Sequence, residues 1–252
     1  MLTRRSRLLR VSERGTTHVQ VNRPLVREFG EVLSRLDWDV ALLQEVPPRW
    51  LAPLCRATGA SGASALTSRN LLPAVRAGLA RLNPDLIASN EGGSNQLLVR
   101  APWRIEAVRR KTLARRPERR RMLFARLIRS GDSRLAAASL HASTGDTAAT
   151  AAEVLAAAEY AVDWSDGEPL VFGGDLNLRP AHAPHAFALL QRRLGLSPPE
   201  DRRAIDHLLV RGLRPVEPPR VLPPETREVP GPAGLAIRLS DHPLVAASFE
   251  VE

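Results

Sequence analysis

Cysteine occurs once in this chain, at Cys55, which excludes an intramolecular disulfide and any cysteine-built structural zinc site. That usage fits a reducing compartment. Long apolar runs are also missing. No uninterrupted stretch approaches the roughly 20 residues of a membrane span, and the basic start MLTRRSRLLRV lacks the apolar core of a signal peptide. The expected location is therefore the cytoplasm. Aromatic residues make up only 4% of the chain, which argues against sequence-specific recognition of single strands by base stacking. Trp50, Trp103, Trp164 and Phe124 are the candidates for exposed rings. Acidic charge is in deficit: 27 Asp and Glu face 36 Lys and Arg, for a net charge of +9, and Lys111 is the only lysine. Such a field steers anionic partners toward the protein, whether nucleic acid, phospholipid headgroups or small phosphate esters, without choosing among them.

What remains is the composition of a folded protein. Hydrophobic residues are 44% and charged residues 25% of 252, well away from the disordered regime. We expect one domain over residues 1–252, acting as a monomer. Apolar residues at Leu25, Val26, Phe29, Val32, Leu33 and Leu36 predict an amphipathic helix over residues 24–36. The run DVALLQEV follows as a buried strand. LLPAVRAGLARLN predicts a second helix, and NQLLVR, MLFARLIR and RLAAASLH predict strands. The alanine-rich GDTAATAAEVLAAAEYAVDW predicts a helix that feeds the strand PLVFGGDLN. HAFALLQRRLG then predicts a helix, IDHLLVRG and LVAASFEVE predict strands, and VEPPRVLPPETREVPGPAG predicts a proline-rich surface loop. Helices feeding buried strands are the grammar of a layered α/β protein. The densest positive charge, RRKTLARRPERRR, reads either as a solvated loop or edge or as an anion contact.

Polar residues gather where apolar strands end: Glu45 after ALLQ, His141 after AAASL, Asp175 and Asn177 after VFGG, Asp206 after AI, and Asp241 with His242 before PLVAAS. Strand ends in a layered α/β fold bring distant sequence to one rim, where ligands bind. Several carboxylates beside two histidines and an asparagine suit Mg²⁺ or Mn²⁺ better than zinc. Taken singly, each residue also has an ordinary role: a surface glutamate, a DLN turn, a structural histidine.

The ordered set LLQEV, ASLHAS, GGDLNLRP, AIDHLLVRG and LSDHPLVAASFEV, spanning residues 39–250, resembles the DNase I and exonuclease III type of endonuclease/exonuclease/phosphatase domain. The resemblance implies a four-layer α/β sandwich, two packed mixed β-sheets flanked by helices. It implies Glu45 as the metal-binding glutamate and Asp241 on the metal side of the site. It also implies Asp175 and Asn177 as the pair that positions the attacking water, their i, i+2 spacing setting both on one side of an extended segment. Asp206 and His242 match the family's aspartate–histidine dyad. His141 resembles the second histidine of the DNase I branch, whereas the exonuclease III branch has a tyrosine in this region. Asn95 resembles the asparagine of a GNAIL-type strand opening that supports the substrate site.

One element departs from the pattern. The family's first strand ends in an asparagine within TWN or TYN, but this chain reads LLRVSERGTTHVQVNRPLV. Either Asn22 stands in, or LLRV is the first strand and the position is missing. The expected activity is Mg²⁺- or Mn²⁺-dependent hydrolysis of a phosphate ester, a phosphodiesterase or nuclease that uses in-line water attack. Two alternatives stay open: a catalytically weakened module that binds nucleic acid or phosphate, and a sugar or lipid phosphate phosphatase.

Overall fold

A computed structural model describes residues 13–14, 16–21, 23–67, 93–116 and 118–251. The helix predicted over residues 71–83, Asn22 and the LLRV stretch lie outside them. A short ladder of β1 (Glu13–Arg14) and β2 (Val19–Gln20) comes first. In α1 (Val26–Arg35), Val26, Phe29 and Leu33 form a stripe that packs on α2 (Leu51–Thr58). The helix begins two residues later than its periodicity predicts, which leaves Pro24 outside and Leu25 at the N-cap. The two helices approach closely at Gly30, where a Cβ would stand 2.8 Å from the Cβ of Ala57.

Strands β3 (Val40–Val46), β4 (Ser61–Leu66) and β5 (Ser94–Val99) form an antiparallel sheet in the order β3-β5-β4. The strands β6 (Arg104–Ala114), β7 (Arg120–Ile128), β8 (Arg134–His141), β9 (Leu170–Asp175) and β10 (Asp206–Arg211) form a mixed sheet ordered β10-β9-β8-β7-β6. Helix α3 (Thr147–Ser165) carries the chain from β8 to β9, so those two strands run parallel. Asp146 caps α3 by accepting from Ala148 N at 2.8 Å. Helix α4 (Pro184–Leu194) follows β9.

The two sheets face each other through Ala63, Ala65, Leu97 and Val99 on one side and Leu123, Ala125, Leu127, Leu135 and Ala137 on the other. The outer face of the mixed sheet, with Met122, Phe124, Leu140 and Phe172, is covered by α3 and α4 through Val154, Ala157, Ala161, Phe187 and Leu190. Leu98 of the smaller sheet packs under Leu33 and Leu54 of α1 and α2. The result is the predicted four-layer α/β sandwich. Burial of each leucine, valine, phenylalanine or methionine among them stabilises the fold by about 1.5–3 kcal/mol, and so fixes the strands whose ends carry the polar groups.

The proline-rich stretch 216–234 is not simply a loop. Residues up to Val221 belong to β11 (Arg214–Val221), and β12 (Glu228–Pro230) pairs with β13 (Ala236–Arg238). β11 pairs with β14 (Val245–Glu250), with register shifts between Pro215 and Glu217 and between Glu217 and Arg220. An irregular two-stranded ladder tolerates proline because its missing N–H can fall at an unpaired position. The arginine-rich stretch is likewise mostly strand. Residues 109–114 belong to β6 and 120–121 to β7. No helix among the described residues is long and apolar enough to cross a membrane.

Candidate active site

Topology delivers the polar residues to one rim. Parallel pairing in the register His141↔Asp175 makes the C-terminal ends of β8 and β9 coincide. Antiparallel β10 sets its first residue, Asp206, opposite Asp175. The segment before β14 brings in His242, whose Nδ1 stands 3.0 Å from both Asp206 Oδ1 and Oδ2. From the facing sheet, Glu45 Oε1 lies 3.7 Å from His141 Nδ1, while His141 Nε2 lies 3.5 Å from Asp175 Oδ2. Gly174 permits this convergence. Its φ is +124°, and a Cβ there would collide with the Leu140 carbonyl and stand 2.9 Å from Gln44 Nε2. Gln44 crosses between the sheets and donates to Ser139 Oγ at 3.0 Å.

Asp175 and Asn177 do come together, but not as neighbours on one face of an extended strand. β9 ends at Asp175, and Asn177 adopts left-handed backbone with φ +48°. The turn folds Asn177 back so that its backbone N–H donates to Asp175 Oδ1 at 3.0 Å. Its Nδ2 donates to Asp175 Oδ2 at 3.2 Å and to Ala142 O at 3.0 Å, which commits both amide hydrogens.

The titratable groups are pushed in different directions. His141 is 3% exposed, and burial first, then the Arg120 guanidinium and His242, lower its pKa to about 3. Its ring is therefore neutral at pH 7, and its contacts with Glu45 and Asp175 are dipolar rather than ion pairs. Arg120 Nη1 stands 3.2 Å from His141 Nδ1 and 3.4 Å from Nε2. The guanidinium nitrogen is thus nearly equidistant from both ring nitrogens, with Glu45 on the Nδ1 side and Asp175 on the Nε2 side. Asp175 is raised to about 6 by burial, with Asp206 and Glu45 pushing the same way against the Asn177 N–H and His242. For His242, burial acts downward, yet the Asp206 charge and hydrogen bond, helped by Asp175 and Asp241, raise it overall.

The remaining predicted residues occupy the margins. Glu45 sits in a bulge of β3 with φ +58°, its side chain 76% exposed and without a hydrogen bond among the described residues. Asp241 is exposed and touches the site through its charge on His242. Asn95 is fully buried in β5. Its Nδ2 donates to Arg121 O at 2.9 Å, and its Oδ1 has no hydrogen-bond partner among the described residues.

Sequence reasoning missed Arg120. It is 8% exposed, its Nη2 meets Glu118 Oε2 at 3.3 Å, and its Nε has no hydrogen-bond partner among the described residues. A signal existed: Arg120, Met122 and Phe124 alternate along β7, and all three are buried. The aromatic candidates fail as stacking platforms. Phe124 and Trp103 are 2% and 6% exposed, and Trp50 and Trp164 pack against the cores, because a chain so poor in large apolar rings spends them inside.

Asp175, Asp206 and His242 each offer one ligand atom, all within 4.8 Å of one another, a group able to hold a metal ion. The donors fit a hard divalent cation, with carboxylate oxygens in excess. Asp206 is already engaged by His242, and Asp175 by Asn177, whereas the Glu45 and Asp241 carboxylates have no hydrogen bond among the described residues.

The four-layer sandwich thus carries carboxylates and histidines at one rim of strand ends. Residues 19–242 match the Endonuclease/Exonuclease/phosphatase family, and the chain belongs to that family. No curated protein matches the chain. Among solved structures, a functionally unknown conserved protein from Enterococcus faecalis is similar at 16% identity and a TM-score of 0.66, over 90% of this chain and 91% of that one. The mannosyl-6-phosphatase of Bacteroides thetaiotaomicron is similar at 15% identity and a TM-score of 0.66, over 89% and 90%. D. rerio TDP2 in complex with a single-strand DNA product is similar at 16% identity and a TM-score of 0.59, over 89% and 91%.

Proposed function

We propose that the protein is a metal-dependent hydrolase of phosphate esters, a phosphodiesterase of nuclease type, acting by in-line attack of water on phosphorus. The observation that carries this is the meeting of Asp175, Asp206 and His242, whose side-chain donor atoms lie within 4.8 Å of one another at the rim. Above about pH 6, Asp175 is ionised and accepts a proton from the attacking water. Asn177 acts on Asp175, holding both of its oxygens in place. Asp206 fixes His242 through Nδ1, which leaves Nε2 to donate to a phosphoryl or leaving oxygen. His141, kept neutral, offers one ring N–H as an uncharged donor, and Arg120 adds positive charge beside it. Asn95 anchors the β7 end beside the site and leaves an acceptor open. Glu45 and Asp241 would hold Mg²⁺ or Mn²⁺, which as a Lewis acid polarises the phosphoryl group and offsets developing charge. A mannosyl-6-phosphatase and a DNA-bound protein share the fold, so substrate choice rests on what surrounds the rim.

The purified protein with Mg²⁺ or Mn²⁺ is expected to cleave bis(4-nitrophenyl) phosphate, to stop in EDTA, and to lose turnover in Asp175→Ala. No turnover with either metal on any phosphate ester overturns the assignment. If salt-sensitive DNA binding persisted in that case, a binding module would be left.

A further inference from the structure

The chain's net charge is concentrated in one hairpin. Residues 109–121 carry eight basic side chains against the single acid Glu118, a net of +7 out of the whole chain's +9. The structure makes this stretch the far end of β6, the start of β7 and the turn between them. That end of the hairpin abuts the rim, because Arg120 at the start of β7 touches His141.

The basic groups divide by what they touch. Lys111 lies 3.6 Å over the Tyr160 ring, Arg109 lies 5.5 Å over Trp164, and Arg120 pairs with Glu118. Those three are used inside the fold. Arg110, Arg115, Arg116 and Arg121 have no carboxylate partner among the described residues. Arg110 Nε donates to Ser64 O at 2.6 Å and Arg121 Nε to Thr112 Oγ1 at 3.2 Å, so backbone and hydroxyl oxygens orient two guanidiniums without neutralising them. The arginines stand near enough to repel: burial first, then Arg119, Arg110 and Arg115, lower the pKa of Arg121. Like charges held together on one hairpin cost stability. A linear polyanion relieves that cost, since each phosphate neutralised also releases condensed counterions. A small monoester could meet only the charge nearest the rim.

Building on the hydrolase reading above, we propose that the β6–β7 hairpin end, through Arg110, Arg115, Arg116 and Arg121, binds the phosphates that flank the scissile one in a nucleic acid strand. Recognition is by backbone charge, independent of base sequence, the exposed Tyr160 ring being covered by Lys111.

The test uses the full chain and the variant Arg115→Gln/Arg116→Gln, both positions being exposed in the turn. Fluorescence anisotropy with an oligonucleotide of about 20 nucleotides should show Kd raised about tenfold, and the slope of log Kd against log salt reduced by about 1.4, or 0.7 for each of two lost phosphate contacts. In turnover, KM for the oligonucleotide should rise by the same factor with kcat within about twofold, and bis(4-nitrophenyl) phosphate should be cleaved as before. An unchanged oligonucleotide Kd and salt slope overturns the proposal, as does an equal loss on the small diester. A parent protein that binds phosphatidylserine vesicles but not the oligonucleotide overturns it too. Anisotropy reads binding alone, so it decides the proposal even where the parent shows no turnover.

Discussion

His141 and His242 both stand beside the Asp175 carboxyl at one rim, and the protein tunes them in opposite directions. The inner side, at the ends of β8 and β9, is closed. His141 is 3% exposed, faces a buried guanidinium and is held at about 3. The outer side is open. His242 keeps 38% of its side chain exposed, faces Asp206 and is raised. Both environments follow from topology: a parallel strand pair buries its ends under the facing sheet, whereas the loop before β14 reaches the rim from outside. One rim thus holds two imidazoles tuned apart beside a single carboxyl.

The comparison can be broken at four points. Asp175→Asn removes the base shared by both sides and should lower kcat by about 10³–10⁴, measured on a small phosphodiester with Mn²⁺. Asp206→Asn attacks the outer side alone, where the imidazole loses its charge partner, and should lower kcat by about 10²–10³. On the inner side, Arg120→Gln should cost about 10–100-fold. It should also raise the His141 pKa from about 3, though not to 6.5, because burial and not Arg120 is its first cause; NMR titration of the ring checks this. The smallest effect concerns stability. Asp175 has a folded pKa near 6 against 3.8, so its stabilising contribution is complete below 3.8 and lost as pH rises through 6. Without added metal, Asp175→Asn should therefore be more stable than the parent by about 1–2 kcal/mol at pH 8 and no more stable at pH 3.5. Thermal melts in EDTA at both pH values measure it.

The parts of the fold legible in the sequence were those with long apolar runs. RLAAASLH is β8 to the residue, and the alanine-rich segment is α3. β4, written SGASAL, was silent because small residues give little amplitude to a period of two. β6 was hidden because RIEAVRRKTLA is a partly exposed edge strand studded with charge, and α2 because it is eight residues long with Pro53 inside. The site followed the same logic. Asp175, Asp206, His141 and His242 end or flank apolar strands and were found. Arg120 was lost among like neighbours, since which arginine of a run is buried depends on a register that only the partner strand fixes.

The pH profile of kcat/KM for bis(4-nitrophenyl) phosphate, parent against Asp206→Asn at saturating Mn²⁺, tests the account most directly. The account predicts a bell in the parent, with an acid limb at or below about 6 from Asp175 and a basic limb above 6.5 from His242. In the variant the basic limb moves to lower pH while the acid limb stays within about half a unit. A parent without turnover, or a basic limb that Asp206→Asn leaves in place, would contradict it.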